Sequence, residues 1–317
     1  GTERPKVRAT TMNFVVASAP AELPRLRDEL QVVAEERAGR VFLVTVDGRR
    51  EPWDVDAEVS ATCQKTGEDV VCHDRVELAF GAVAAERAGS VVTSLALSEV
   101  PTIVEIGRGA PGSLVDPLVR VADRLIVDSS HTPIDRLAAV VKKTNALVTD
   151  RAMVRSFQWR DLVARFFDAA PGAERAIRSV TVTRTPGGAH GPDAMLLGWI
   201  GSRLGWTFTS RAAAKDARGE DVRLAVAEQA RGDVGAAELL GVEITATYDG
   251  KPLVAACARE PDAAAVRWTM RGPVEQDHVH ALGHRDEVWV LLKAIDAALS
   301  DGMTRAAILA AAAYGAS

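Results

Sequence analysis

Thr11-Met12-Asn13-Phe14-Val15-Val16-Ala17, then residues 21–38, then Arg40-Val41-Phe42-Leu43-Val44-Thr45-Val46 decide the reading of the first half. The first stretch is an apolar run stopped by Pro20 and reads as a strand. The second carries Leu23, Leu26, Leu30 and Val33 at helical spacing, and Gly39 ends it. The third is apolar without alternation, as a strand buried on both faces must be. Together they span about thirty-five residues, the size of a strand–helix–strand crossover.

Working outward, residues 56–64 and 70–80 alternate about the segment Lys65-Thr66-Gly67-Glu68-Asp69, the pattern of a hairpin. Residues 84–97 predict a helix that packs Val91, Val92, Leu95 and Leu97. Pro101 leads into a strand over residues 102–106, and the loop 107–112 leads into a helix with Leu114, Leu118 and Val121. Leu125-Ile126-Val127 is another buried strand, and Thr132-Pro133 opens the next helix. The alternation predicts an α/β fold, a mostly parallel N-terminal sheet with flanking helices. The boundary is expected near residues 149–158, giving an N-terminal α/β domain over residues 1–150. Residues 151–317 read as a C-terminal α+β domain with an antiparallel meander over 243–248, 251–259 and 266–270. Asp249-Gly250 is its hairpin turn. Two helices over 285–299 and 304–313 finish the chain.

With 47 % hydrophobic and 26 % charged residues, the chain has core enough for two domains without staples. A net charge of -5 argues against nucleic acid, which requires a basic face. No apolar run is long enough to span a bilayer. The polar opening Gly1-Thr2-Glu3-Arg4-Pro5-Lys6 is no signal peptide, so the expected location is cytoplasmic, and the missing initiator Met suggests a processed or cloned fragment. Three cysteines do not make a secreted disulfide framework.

Few constellations carry chemistry. Gly107-Arg108-Gly109-Ala110-Pro111-Gly112-Ser113 sits where phosphate loops sit, but matches neither nucleotide fingerprint, and Pro111 removes a donor. It reads more simply as a connection. Asp128, Ser129, Ser130 and His131 close a buried strand, the edge where α/β sheets hold ligands. The plainer reading is that Ser129, Ser130 or Thr132 caps the following helix. His278, His280 and His284 match no zinc spacing, and no metal or cofactor site is assigned. If Gly67-Glu68 is a two-residue turn, Cys63 lies opposite Cys72, as a redox pair requires. The alternative is two small apolar residues in a reducing compartment.

Residues 160–206 add a different kind of information. Trp159-Arg160-Asp161-Leu162-Val163-Ala164-Arg165-Phe166-Phe167-Asp168 and Ala194-Met195-Leu196-Leu197-Gly198-Trp199-Ile200-Gly201-Ser202-Arg203-Leu204-Gly205-Trp206 are amphipathic helices with aromatic anchors and a strand between them. The pair resembles the C-terminal domain of the glucose-6-phosphate dehydrogenase assembly protein (OpcA) family. Arg8-Ala9-Thr10-Thr11-Met12-Asn13-Phe14-Val15-Val16 resembles that family's opening strand, Val71-Cys72-His73-Asp74-Arg75-Val76-Glu77-Leu78 its central strand, and Arg124-Leu125-Ile126-Val127-Asp128-Ser129-Ser130 its N-terminal signature. One segment departs. Val100-Pro101-Thr102-Ile103-Val104-Glu105-Ile106 lacks the family's paired tryptophans.

The resemblance implies a non-catalytic factor that binds glucose-6-phosphate dehydrogenase and favours its active oligomer by linkage. The competing class is an α/β enzyme or sensor that takes a sugar phosphate at the carboxyl edge of the first sheet.

Overall fold

The computed structural model describes residues 11–37, 39–66, 69–187, 191–261, 264–283, 285–297 and 301–316, with the side chains of 62–66, 69–72 and 301 also left out. Arg8-Ala9-Thr10, the turn residues Gly67 and Glu68, His284 and the end of the helix expected over 285–299 lie outside the described residues. The chain gathers into two compact units. One holds the residues through Asp128, Val140–Thr149 and Glu287–Leu299; the other holds Ser129–Ala139, Asp150–Asp286 and Ser300–Ser317.

In the first unit, β1 (Met12–Ser18), α1 (Leu23–Glu36) and β2 (Gly39–Val46) make the expected crossover, with β1 and β2 parallel. Every residue of β1 is buried. Its one amide, Asn13, is satisfied by Leu97, whose N–H and C=O both bond to it at 2.9 Å. The hairpin β3 (Val55–Thr66) and β4 (Asp69–Phe80) follows, and β4 continues in parallel beside β2. The helix expected over 84–97 divides into a 3-10 turn at Ala84–Arg87 and α2 (Ala88–Leu95). Val92 is buried there, whereas Leu95 is exposed. Next come β5 (Thr102–Ile106), α3 (Gly112–Val119), β6 (Arg124–Val127), α4 (Ile134–Lys142) and the unanticipated β7 (Leu147–Asp150).

The sheet runs β3-β4-β2-β1-β5-β6-β7. Setting aside the added β3, the strands from β4 to β7 stand in the 3-2-1-4-5-6 order of doubly wound nucleotide-binding folds. Phe14, Phe42, Phe80, Leu43, Leu78 and Leu125 fill its core and are fully buried, each contributing about 1.5–3 kcal/mol by leaving water.

The second unit begins with α5 (Arg151–Arg155), α6 (Phe157–Ala169), β8 (Ile177–Arg184) and α7 (Pro192–Leu204). Gly205, at φ 69°, caps α7 in the left-handed conformation expected of it. There follow β9 (Thr207–Ser210), β10 (Ala213–Lys215), β11 (Asp221–Glu228), β12 (Leu239–Tyr248), β13 (Lys251–Arg259), β14 (Ala265–Arg271) and β15 (Gln276–Ala281). Helix α8 (Glu287–Asp296) returns to the first unit, and α9 (Asp301–Ala316) closes the second.

The second sheet runs β15-β14-β13-β12-β8-β11-β10-β9 and is antiparallel except where β11 joins β8. Asp249 and Gly250 both have positive φ, 49° and 72°, as a twisted two-residue hairpin demands. One sheet face is sealed by α6: Trp268 stacks on Phe166 at 5.0 Å and donates its indole N–H to Leu162 O at 2.9 Å.

Candidate functional site

The strand order reverses between β1 and β5, so the crevice beyond their carboxyl ends is where such a fold holds a ligand. There the chain reads Ala17-Ser18-Ala19-Pro20-Ala21-Glu22, with no glycine to admit a pyrophosphate. Pro20 offers no N–H. Glu22 brings negative charge to the helix start, where a phosphate would need positive potential.

The strand ends at this crevice are also tied to each other. Gly107 N donates to Ala17 O at 2.7 Å, and Ala19 N and Ser18 Oγ both donate to Arg108 O at 3.1 Å. A Cβ on Gly107 would lie 2.8 Å from Ala17 O, so the glycine permits this close approach. The glycine-rich segment 107–112 thus ties two strand ends together. Glu105 is 4 % exposed and sits between Val16 and Ile126 in register.

Asp128 directly follows β6 in the first unit and is buried. Ser129 and Ser130, two of the residues read as possible caps of α4, find partners within the second unit. Ser129 is fully buried; its N–H donates to Asp150 Oδ1 at 3.0 Å and its hydroxyl to Asp150 Oδ2 at 2.6 Å. Asp150 Oδ1 also accepts from Ala152 N at 3.1 Å, capping α5. Arg155 Nη1 donates to Ser130 Oγ at 3.3 Å, while His131 stands exposed. The sequence reading missed Asp150, the residue on which this arrangement turns. Its signal was an aspartate directly before the helical run Arg151-Ala152-Met153.

Arg160 lies half-buried on α6. Its guanidinium donates to Met153 O at 2.7 Å and lies 5.9 Å and 5.8 Å from the Phe157 and Trp199 ring centroids. Burial pulls it down from the ordinary arginine range to about 10, against the opposing charge of Asp150.

The histidines follow the strand rule. His278 and His280 project from one face of β15, ring centroids 6.4 Å apart, and His278 lies against Trp268 at 5.8 Å. The backbone register of β3 and β4 sets Cys63 opposite Cys72; their side chains lie outside the described residues. Cys257 is buried, and burial pushes its thiol far above the ordinary range. A shallow depression of about 170 Å³ in the first unit, among Asp116, Val119, Arg120, Val140 and Lys143, contains none of the sequence candidates. Among the described residues, no group of three or more His, Cys, Asp or Glu could hold a metal ion, and no helix is long and apolar enough to cross a membrane.

Residues 31–144 match the glucose-6-phosphate dehydrogenase subunit N-terminal domain of the OpcA assembly family, and residues 146–308 match its C-terminal domain. The OxPP cycle protein OpcA of a Synechocystis species is 33 % identical over 168 residues, 49 % of this chain and 35 % of that protein. Its namesake from Nostoc punctiforme is 26 % identical over 204 residues, 60 % of this chain and 42 % of that protein. The chain therefore spans less than half the length of these curated relatives. Among solved structures, the 3-ketoreductase KijD10 of Actinomadura kijaniata aligns over 96 % of this chain and 95 % of its own, at 13 % identity and TM-score 0.47. Biliverdin reductase of a Synechocystis species aligns over 97 % and 100 %, at 10 % identity and TM-score 0.46. Both are likenesses of fold alone.

Proposed function

We propose that this chain, which belongs to the glucose-6-phosphate dehydrogenase assembly (OpcA) family, is a non-catalytic, cytoplasmic factor that binds glucose-6-phosphate dehydrogenase and favours its active oligomer. An effector that binds one assembly state more tightly shifts the population toward that state, and needs no reacting groups of its own. The observation that carries the reading is the lacing of Ser18 and Ala19 to Arg108 O at the point where a dehydrogenase of this topology would open for its nucleotide. Division near Asp150 into two domains belongs to the same proposal.

The experiment is a rate assay. Alone, the chain should reduce no NAD or NADP with glucose 6-phosphate; added to its cognate dehydrogenase, it should raise the rate. Turnover by the chain alone would overturn the non-catalytic reading. Glucose 6-phosphate binding lost in Ser130→Ala would favour a ligand site at Asp128, Ser129, Ser130 and His131 instead.

A further inference from the structure

The eight-stranded sheet has two faces, and only one is accounted for. Val180, Val182, Ile244, Cys257, Trp268 and Met270 point to the buried side. On the other side, the register aligns Ala225, Thr181, Glu243, Ala256, Thr269 and Asp277 in one row across six strands. Each is exposed or half-buried. The next row holds Ala227, Thr183, Gly241, Ala258 and the exposed Arg267, and ends on Val279, an apolar side chain 55 % exposed.

This face is unlike an ordinary solvated one. Alternating strands usually present long charged residues to water, whereas here alanine, glycine and threonine dominate. Small side chains leave a flat surface that a second sheet can approach to about 10 Å. Ser179 and Thr245 even satisfy each other across it, at 2.6 Å, so these hydroxyls ask little of a partner.

We infer that this face is an isologous interface that pairs two copies of the chain. Two observations favour a second copy as the occupant. The first is area. Six strands at about 4.8 Å spacing and about seven residues at 3.3 Å give about 650 Å² per copy, within the range of a standard stable interface. The second is charge. Glu243, exposed, stands in the central row, and the flanking row runs Arg223, Ser179, Thr245, Val254, Arg271, with an arginine at each end. A self-complementary surface requires both signs on one patch, since each copy must supply what the other lacks. The inference does not depend on the dehydrogenase reading.

Sedimentation velocity of the full chain tests it. A dimer of about twice 33.7 kDa is expected. Ala256→Arg and Thr181→Arg, in the middle of the face, should each weaken it by tenfold or more, about 1.4 kcal/mol, with the circular dichroism spectrum unchanged. Ala164→Arg, on the exposed side of α6, should leave it intact. Should those variants misfold, Glu243→Arg should weaken the dimer and Arg271→Glu added to it should restore association. A chain that stays monomeric at about 100 µM overturns the inference. So does a dimer indifferent to all four substitutions on the face. A monomer whose stimulation of the dehydrogenase is lost in Ala256→Arg also overturns it, because the face then belongs to the enzyme.

Discussion

Replacing Asp150 with alanine should be among the most damaging single changes in the chain. The carboxylate is fully buried and accepts from Ser129 N, Ser129 Oγ and Ala152 N at 3.0, 2.6 and 3.1 Å. Alanine leaves these three donors buried with no acceptor, at about 1–3 kcal/mol each. Water entering the vacated space recovers part of that, so the net cost should be about 3–5 kcal/mol. A domain holds only about 5–15 kcal/mol in all, so such a variant is marginal. Asparagine is the informative comparison. Its remaining oxygen still serves both main-chain N–H groups, and the Ser129 hydroxyl can rotate to accept from the new amide, so Asp150→Asn should cost about 1–2 kcal/mol. Urea denaturation followed by circular dichroism gives both values. A double-mutant cycle with Ser129→Ala should show a coupling of about 1 kcal/mol or more. An Asp150→Ala variant within about 1 kcal/mol of the parent, or an asparagine variant as unstable as the alanine one, would refute the assignment of Asp150 as the acceptor that organises this corner.

Gly198→Ala should destabilise by about 1–3 kcal/mol in thermal melts despite alanine's better helix propensity, because the new Cβ would lie 2.5 Å from Ala307 O on α9 and 2.7 Å from Ala311 N. Mild oxidant should consume two thiols, with mass spectrometry locating the loss at Cys63 and Cys72 and Cys63→Ser abolishing it. Cys257, sealed in the core, should stay unmodified in the folded protein. Arg160 sets a pH dependence. Its folded value of about 10 is below the ordinary value it has in the unfolded chain, so above about pH 10 the unfolded chain binds the extra proton and stability gains as pH rises. The parent should therefore gain on Arg160→Met across that window in paired urea titrations, and a constant difference would contradict the burial argument.

Much of this fold was legible because its signals are side-chain signals. β1, β2, β5 and β6 are mostly apolar without alternation, as a strand covered on both faces must be, with few polar residues such as Asn13 and Glu105 within them. The Asp249-Gly250 hairpin and the Gly205 cap declared themselves through the conformations they require. β7 escaped notice because it has four residues, of which only Val148 and Asp150 are buried. β15 escaped because its residues are nearly all exposed, leaving no apolar face to detect. The helix over 84–97 was drawn too long, since Leu95 and Leu97 were counted as core while Leu95 stands in solvent. At the candidate site the deciding contacts, Gly107 N to Ala17 O and Ala19 N to Arg108 O, join main-chain atoms. Such bonds leave no residue preference to read, apart from the glycine that lets the strands approach.

The central claim concerns partnership, so the most direct measurement is sedimentation velocity of the cognate glucose-6-phosphate dehydrogenase with and without this chain. The account predicts co-sedimentation and a shift of the dehydrogenase toward its larger, active assembly, in proportion to the chain added. A dehydrogenase boundary that does not move at saturating chain, with its activity also unchanged, would contradict it.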